Sequence, residues 1–375
     1  LARIMKLLVV DHNALEPANR VLYQKIVDIG GVELRLVVPS KWFNNFKTLH
    51  YTPPSESLNY EIFASDVLFS ARTHRLVYLS LSKHLKHFQP EIFYINAEPE
   101  NFQTFQAALL NPSHKTKLIF SSWRNIDHVK TGYPYRLSVL HRDIEAFVLK
   151  RATHGVVFNH SAKNIFAKNG FRNTTVIPPP VDTQLFEPRI VDRQRDAFVV
   201  GYVGRLVRAK GVDLILQALR SLPRVCTAMI VGDGEAKDDL KKLAAELDIV
   251  ERVNFTDAVS HESLPDIFAQ MDVVALPSRT THHWREQFGR VLVEAMACGV
   301  PVIGSTSGEI PNVIADAGFV FKEENIDGLR LGVERLYSSE KMRSELRERG
   351  IHRARTVFSL EVVAAQYHKL FTSLS

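Results

Sequence analysis

Two acids, Glu286 and Glu294, stand eight positions apart with a glycine and an apolar run between them. Glu286 follows a strand-like run and a loop, whereas Glu294 falls inside the helix-like run Gly289–Cys298. The unbonded backbone N–H groups at a helix start attract phosphate. The two acids therefore suit a ligand with two polar ends and an anionic middle, such as a sugar nucleotide. The same spacing also arises on solvated helix faces, so other residues must decide between the two interpretations.

A second group of residues follows the strand-like run Phe198–Val203. Gly204 permits a tight turn at the carboxyl end of that strand, where ligands bind in open α/β sheets. Arg205 and Lys210 then offer cationic donors to one pyrophosphate. The segment is neither a dinucleotide-binding fingerprint nor a P-loop. Two solvated surface charges are the alternative interpretation of Arg205 and Lys210.

Taken together, these segments resemble the retaining family 4 glycosyltransferases. The E-x7-E spacing, the phrase Gly204-Arg205 with Lys210-Gly211 five residues later, and the run Glu294–Ile303 match that family in order, and the resemblance covers roughly residues 175–320. It implies that Glu286 contacts sugar hydroxyls and Glu294 the ribose, while Arg205 and Lys210 hold the diphosphate as catalytic residues beside Glu286.

The resemblance also extends the predicted donor site to backbone contacts. Gly289 would let the helix start approach the distal phosphate and sugar, and Val259 would pair with the nucleobase. Asp257 and Ala258 replace a more usual glycine and aromatic residue, which leaves the base undetermined between UDP, GDP and ADP. The predicted donor-binding residues are Gly204, Arg205, Lys210, Val259, Glu286, Gln287, Phe288, Gly289, Arg290, Val291 and Glu294. The glycine turn Gly232–Glu235 is predicted as either a helix start or a ligand contact.

The first half of the chain matches the family less well. The histidine that family members often place after the fourth strand is missing, and Phe120-Ser121-Ser122-Trp123-Arg124-Asn125 stands there. A glycine-rich loop after the first strand is also missing. The acceptor-side candidates, each with a structural role as its alternative, are Asn19, Arg20, Glu98, Trp123, Arg124 and Asn125.

The elements that must position these residues follow a β-α-β rhythm in both halves. The strand-like run Met5–Val10, a helical stretch and the strand-like run Val32–Val38 open the first half, and the rhythm restarts at Phe198 after the triple proline Pro178–Pro180. We predict an α/β fold of two Rossmann-like doubly wound domains facing a cleft, the GT-B arrangement. The predicted domains are residues 1–182 for the acceptor and 183–355 for the donor, with a helix over 356–375 crossing back to the first domain.

Length and composition restrict the classes of protein to which the chain can belong. A chain of 375 residues with 45% hydrophobic and 23% charged residues favours two domains. The two cysteines have no metal-site spacing, and no run approaches the roughly 18–20 apolar residues of a membrane span. We expect a cytoplasmic protein without disulfides.

The net charge of +6 is compatible with several anionic partners. Basic residues are scattered, so we expect no nucleic-acid partner. In the segment Tyr135–Arg151, basic residues accompany apolar ones at helical spacing. Core packing of this helix is the favoured interpretation, and peripheral docking on an anionic membrane, at its inner face, is the alternative.

The chain contains no Asp-x-Asp sequence that would hold a metal-bridged diphosphate. We therefore expect no metal and no cofactor. The family resemblance implies a retaining transferase with a nucleoside-diphosphate sugar and a hydroxyl acceptor (a glycan, a lipid-linked sugar or a small molecule) as substrates. Three alternatives remain: a GT-B sugar-nucleotide epimerase, a phosphorylase using pyridoxal phosphate, and a non-catalytic nucleotide-sugar sensor. No lysine context typical of the phosphorylase is recognisable.

Overall fold

A computed structural model describes residues 3–43, 47–54, 57–111, 116–132, 138–190 and 197–375. The chain divides into two compact units. Unit 1 contains Leu1–Pro178 together with Leu360–Ser375, and unit 2 contains Pro179–Ser359. The sequence had placed these boundaries between residues 182 and 183 and between residues 355 and 356.

Unit 1 is built on a parallel sheet of seven described strands in the order β11-β10-β9-β8-β1-β2-β5. Two short antiparallel pairs, β3 with β4 and β6 with β7, lie outside this sheet. The strands are β1 Met5–Val10, β2 Val32–Pro39, β3 Lys41–Phe43, β4 Thr48–His50, β5 Glu61–Ser65, β6 Val67–Leu68, β7 Val77–Tyr78, β8 Ile92–Ile95, β9 Lys117–Ser122, β10 His154–Val157 and β11 Thr174–Val176.

Helices connect the strands of unit 1 and cover its sheet. They are α1 Val21–Asp28, α2 Leu81–Phe88, α3 Phe102–Leu110, α4 His128–Thr131, α5 Ser138–Leu149 and α6 His160–Lys168. The central strands are apolar on both faces, and Leu7, Leu8 and Val9 of β1 are fully buried. Strands buried on both faces between helices are typical of parallel sheets, and they position the loops at the sheet's carboxyl edge.

Unit 2 repeats this architecture with six described strands in the order β14-β13-β12-β15-β16-β17, all parallel. The strands are β12 Phe198–Val203, β13 Cys226–Val231, β14 Val253–Thr256, β15 Val273–Leu276, β16 Val302–Ser305 and β17 Gly318–Phe321. The helices are α7 Val212–Ser221, α8 Lys237–Glu246, α9 Leu264–Phe268, α10 Arg290–Ala297, α11 Ile310–Ile314, α12 Ile326–Ser338 and α13 Glu340–Arg353. Both units are therefore Rossmann-like, which confirms the predicted fold class.

The last helix, α14 Leu360–Leu374, packs within unit 1 after the chain has completed unit 2. Its residues Val363, Ala364 and Phe371 are buried in the unit 1 core. The Tyr367 hydroxyl lies 3.3 Å from that of Tyr94 on β8, and Lys25 of α1 pairs with Glu361 at 2.9 Å. Unit 1 thus consists of two separate stretches of the chain.

The segment proposed for membrane contact, Tyr135–Arg151, is described from residue 138 onward, so Arg136 and Leu137 lie outside the described residues. Within α5, Ile144 and Val148 are buried in the core, whereas Leu140 is exposed. Core packing explains the buried positions, and contact with an anionic membrane stays a prediction. No described helix combines the length and apolarity needed to cross a bilayer.

Candidate functional site

The predicted donor residues gather at the carboxyl edge of the unit 2 sheet. Gly204–Gly211 follows β12, Gly232–Glu235 follows β13, and Pro277–Gly289 follows β15. Because all strands of this sheet are parallel, these loops meet at one edge, where open α/β sheets bind their ligands. Glu286 lies in the loop after β15 and Glu294 within α10, as the sequence predicted.

Glycines let the backbones of the first two loops pack directly against each other. A Cβ on Gly232, whose φ is +144°, would lie 1.9 Å from the carbonyl oxygen of Gly204. A Cβ on Gly234 would lie 2.4 Å from the Leu206 carbonyl oxygen. Only glycine fits at these positions, so the turn after β13 has a packing role whether or not it also contacts a ligand.

Glu286 is the acidic centre of this edge. It is 6% exposed, and its Oε2 accepts hydrogen bonds from Lys210 Nζ and from Ser278 Oγ, each at 2.7 Å. The Lys210 ammonium also lies 5.0 Å from the centre of the Trp284 ring, a cation–π contact. The fold therefore brings together Lys210 and Glu286, which are 76 positions apart in the chain.

The backbone of Glu286 is held by hydrogen bonds to the loop after β16. Its carbonyl oxygen accepts a hydrogen bond from the Glu309 N–H at 3.2 Å, and its N–H donates to Ser307 Oγ at 3.3 Å. A Cβ on Gly308 would lie 1.8 Å from the Glu286 carbonyl oxygen. Glu286 is therefore fixed at both its side chain and its main chain.

Arg205, the other predicted diphosphate contact, has an exposed side chain that forms no ion pair with the described part of the chain. It lines a pocket of about 610 Å³, a size typical of small-molecule sites. Other residues lining this pocket are Arg208, Glu235, Arg279, Thr280 and Trp284. The exposed Arg205 guanidinium and the Trp284 ring suit an anionic ligand that carries rings, whereas Arg279 is paired with Glu324, which also lines the pocket.

The start of α10 provides backbone donors. Gly289 has φ +84° and precedes Arg290, the first residue of the helix. A Cβ on Gly289 would lie 3.0 Å from the Leu276 side chain, so a larger residue would be crowded as well as strained. The free backbone N–H groups of a helix start attract anions, and contact of this one with the donor stays a prediction. Phe288 is buried, whereas Gln287 and Arg290 are exposed and Val291 is partly buried.

Glu294, the predicted ribose contact, is 5% exposed and has a histidine partner that the sequence did not indicate. His261 Nε2 lies 3.1 Å from Glu294 Oε1, and this hydrogen bond raises the pKa of His261 above its usual value. His261 follows the loop that carries Val259, whose side chain is exposed. The predicted base and ribose contacts therefore lie near each other in unit 2.

Glu98 and Trp123, two of the acceptor-side candidates, contact each other at the carboxyl edge of the unit 1 sheet. Glu98 accepts hydrogen bonds at 2.6 Å from Ser122 Oγ and from the Trp123 N–H. Removal from water and repulsion by Glu100 raise the pKa of Glu98 to about 8. Both hydrogen bonds are donated to the Glu98 carboxyl group from neighbouring residues of unit 1, and its acceptor role stays a prediction.

Arg124 and Arg20 are engaged inside unit 1. The Arg124 guanidinium is fully buried and pairs with Glu100 at 2.7 Å and Glu145 at 2.5 Å. Arg20 is 5% exposed and donates to the carbonyl oxygens of Ala14 and Leu15 at 2.8 and 2.9 Å. These contacts favour a structural role for both arginines.

The three remaining acceptor-side side chains differ in exposure. Asn19 is exposed and donates to the Asn13 carbonyl oxygen at 2.8 Å. Asn125 is buried, and the partly buried Trp123 ring lies 4.3 Å from that of Phe158. Of these three, Asn19 and Trp123 present surface to solvent. In the described ranges, no three His, Cys, Asp or Glu side chains lie close enough to hold a metal ion.

Comparison with known proteins shows which family the second half of the chain resembles. Residues 184–353 match the family model described as glycosyl transferases group 1. Over 191 residues, 47% of this chain, the sequence is 36% identical to a GDP-mannose-dependent alpha-(1-6)-phosphatidylinositol monomannoside mannosyltransferase of Mycolicibacterium smegmatis, and the match spans 50% of that protein. The chain thus spans about half the length of this relative.

Solved structures match the chain over nearly its whole length. A sucrose-phosphate synthase from Thermosynechococcus elongatus has a TM-score of 0.73 with 17% identity, covering 99% of both chains. The HepE protein of Anabaena in complex with UDP has a TM-score of 0.72 with 18% identity, covering 99% of this chain and 100% of that one. Such identities establish the GT-B fold, and the family match identifies residues 184–353, within unit 2, as a glycosyl transferases group 1 domain.

Proposed function

We propose that this chain is a retaining, metal-independent glycosyltransferase that moves a sugar from a nucleoside-diphosphate sugar to a hydroxyl acceptor, in the synthesis of a surface polysaccharide or glycoconjugate. The observation that carries the proposal is the pair formed by Lys210 and Glu286, 2.7 Å apart at the carboxyl edge of the unit 2 sheet. The match of residues 184–353 to the glycosyl transferases group 1 supports it.

In the proposed reaction the diphosphate is the leaving group, and its developing negative charge is the main requirement for catalysis. The Lys210 ammonium has three N–H donors, so it can keep Glu286 and still donate to phosphate oxygens. Arg205 adds a second cation, and the N–H groups at Gly289 add backbone dipoles. These groups supply the charge that a metal ion provides in other transferases.

Glu286 orients the sugar in this proposal and is not a covalent nucleophile. Its carboxylate accepts hydrogen bonds from Lys210 and Ser278, which hold it in one orientation. The acceptor hydroxyl attacks on the face that the diphosphate leaves, and a diphosphate oxygen takes the hydroxyl proton. The glycosidic bond to phosphate breaks as the new bond to the acceptor oxygen forms, so configuration is retained.

We propose GDP-mannose as the first donor to test, because the relative that is 36% identical over 191 residues is named for it. UDP-sugars are the second choice, since HepE was solved with UDP. The acceptor is proposed only by class, as a hydroxyl of a glycan or of a lipid-linked sugar.

The test incubates the protein with GDP-mannose, UDP-glucose and ADP-glucose, with and without glycan and lipid-linked acceptors, and measures nucleoside diphosphate and sugar products. Acceptor-dependent release of nucleoside diphosphate with a new glycoside of unchanged configuration supports the proposal. A new sugar nucleotide without acceptor indicates an epimerase instead. Binding without any turnover across the panel indicates a non-catalytic sensor and overturns the proposal.

Glu286→Ala should lower kcat at least about 100-fold and leave nucleotide affinity nearly unchanged, because the carboxylate contacts the sugar and not the nucleotide. Initial rates and calorimetric titration with nucleoside diphosphate measure the two effects. The matched control is Glu334→Ala, which removes another ion-paired glutamate, on α12. Full activity of Glu286→Ala contradicts the assignment.

Treatment with EDTA followed by gel filtration should leave the initial rate unchanged, because Arg205 and Lys210 provide the positive charge for the leaving group. A rate that falls after chelation and returns with Mg²⁺ or Mn²⁺ contradicts the metal-independent part of the proposal. The same preparation assayed before chelation is the control.

A further inference from the structure

Arg279 lies directly after Ser278 in the loop that carries Glu286, and its guanidinium is bonded on several sides. Its Nη1 and Nη2 donate to the two carboxylate oxygens of Asp213 at 2.5 and 2.6 Å. Its Nε donates to Glu324 Oε1 at 2.6 Å. Two acids from different elements, the first turn of α7 and the loop after β17, therefore meet on one arginine.

The same residue also holds the turn Arg208–Gly211, which carries Lys210. Arg279 Nη1 donates to the Arg208 carbonyl oxygen at 3.2 Å, and the Arg279 N–H donates to the Ala209 carbonyl oxygen at 2.8 Å. The two segments approach closely here, since a Cβ on Gly211 would lie 2.1 Å from the Pro277 carbonyl oxygen. Arg279 thus bonds to the residues just before Lys210 from the segment that leads to Glu286.

The next residue, Thr280, also fixes the loop that carries Glu286. The Thr280 N–H and hydroxyl donate to the two carboxylate oxygens of Glu323 at 2.5 and 2.8 Å. The loop after β17 therefore holds both Arg279 and Thr280, through two consecutive acids. Together these contacts limit movement of the Ser278–Glu286 segment relative to the Lys210 turn.

The charges around Arg279 indicate support and not ligand binding. Its side chain is 14% exposed, and the hydrogen bond to Asp213, followed by that to Glu324, raises its pKa above the usual range of arginine. Two carboxylates already balance its charge, in contrast to the exposed side chain of Arg205. A lysine cannot form the same set of contacts, because it lacks the planar fork that bonds both oxygens of a carboxylate.

We propose that Arg279 is a positioning residue that sets the distance between Lys210 and Glu286. This inference rests on the proposed function, because that distance matters only if both side chains act on one donor. Displacement of a catalytic group by about 1 Å can cost on the order of 100-fold in rate. Arg279 therefore affects catalysis through Lys210 and Glu286, without contact with the reacting atoms.

The test compares Arg279→Ala, Arg279→Lys and Asp213→Asn with the control Arg330→Ala. Arg330 also pairs with two acids, Asp327 and Glu334, but on α12. We expect kcat to fall at least about tenfold in the three test variants, with a smaller change in KM, and less than about twofold in the control. Thermal unfolding of each variant separates this loss from loss of fold, and Arg279→Lys and Asp213→Asn carry the test if Arg279→Ala does not fold.

A second measurement needs no donor. Lysine acetylation by acetic anhydride, followed by mass spectrometry, gives the labelling rate of Lys210 relative to that of Lys341, which is 88% exposed. Lys210 is 17% exposed and ion-paired, so it should label slowly in the unaltered protein and severalfold faster in Arg279→Ala, but not in Arg330→Ala.

The two readouts distinguish the possible failures. Wild-type kcat and wild-type Lys210 labelling in the Arg279 variants overturn the positioning role while the proposed function stands. Absence of turnover in the unaltered protein overturns the proposed function, and the labelling rates then still show whether Arg279 holds Lys210 against Glu286.

Discussion

At the scale of single residues, the side chains of the proposed donor site are held in place by one another. Glu286 is buried with a lysine and a serine on one of its carboxylate oxygens, so its orientation is fixed without the sugar. Holding such groups in advance lowers the reorganisation needed during reaction. The partner of Glu294, His261, adds a titrating group to the part of the site predicted to hold ribose.

His261 should make stability depend on pH. Its pKa is raised in the folded state by the hydrogen bond to Glu294, so the stabilisation is complete below the unfolded pKa of about 6.5 and is lost as pH rises through the folded pKa. We expect His261→Gln to lower Tm more at pH 6 than at pH 9. The loss in free energy of unfolding should differ by under about 1 kcal/mol between the two pH values, because the His261 side chain is half exposed.

Thermal unfolding at both pH values measures this effect. His352→Gln is the control, since that histidine has no ion pair among the described residues. An equal loss of Tm at pH 6 and pH 9, or a larger loss at pH 9, contradicts the proposed linkage between His261 and Glu294.

The sequence indicated Lys210 and Glu286 through their resemblance to a family, but not that they pair with each other. A contact across 76 positions depends on how two loops meet at one sheet edge, and a local sequence pattern does not predict it. Ser278 was missed, although its place two residues after the end of β15 was a usable signal. His261 and Arg279 had no such signal, because their roles depend on partners in other elements.

At the scale of elements, glycines determine how closely the loops of unit 2 approach. Gly308, in the loop after β16, has φ +57° and lies against the Glu286 carbonyl oxygen. In unit 1, Gly31 has φ +72° but no atom within 4 Å of the position that a Cβ would take. A side chain at Gly31 would therefore meet backbone strain alone, whereas one at Gly308 would meet both strain and steric overlap.

Gly308→Ala should destabilise the protein by about 2–4 kcal/mol, because the new methyl group overlaps a backbone carbonyl that must move. Gly31→Ala should cost only about 1–2 kcal/mol, the cost of the left-handed conformation alone. Urea unfolding compares the two variants. Equal costs would show that the contact with Glu286 does not restrict this loop.

Sequence patterns predicted the central strands better than the edge strands. The run Phe198–Val203 was predicted with the bounds of β12, since a strand buried on both faces reads as a continuous apolar run. The edge strands β5 and β17 were missed. Most of their side chains are partly buried or exposed, so neither strand has the two buried faces of a central strand. Long-range pairing forms these strands despite a weak local signal.

At the scale of the whole molecule, the chain forms all of unit 2 between the two stretches that make up unit 1. Unit 1 is completed by α14, which is made after all of unit 2. Phe371 on this helix is fully buried and lies 5.5 Å from Tyr94, ring centre to ring centre. The stability of unit 1 therefore depends on the last residues of the chain.

Phe371→Ala should destabilise unit 1 by about 3–5 kcal/mol, because it removes a large side chain from a closed core. Hydrogen exchange followed by mass spectrometry should show faster exchange in β1 and β8, with no change in β13. The control is Leu79→Ala, whose side chain is 58% exposed. Faster exchange confined to α14 itself contradicts this dependence.

The central claim is that unit 2 binds the diphosphate of a sugar nucleotide through Lys210. Calorimetric titration of GDP and UDP into the unaltered protein, Lys210→Ala and the control Lys25→Ala tests it directly, since Lys25 is ion-paired in unit 1. We predict that one nucleotide binds and that Lys210→Ala weakens it about 10–100-fold, the value of a charged hydrogen bond, while Lys25→Ala does not. Equal affinity in Lys210→Ala and the unaltered protein, or no binding of either nucleotide, would contradict the claim.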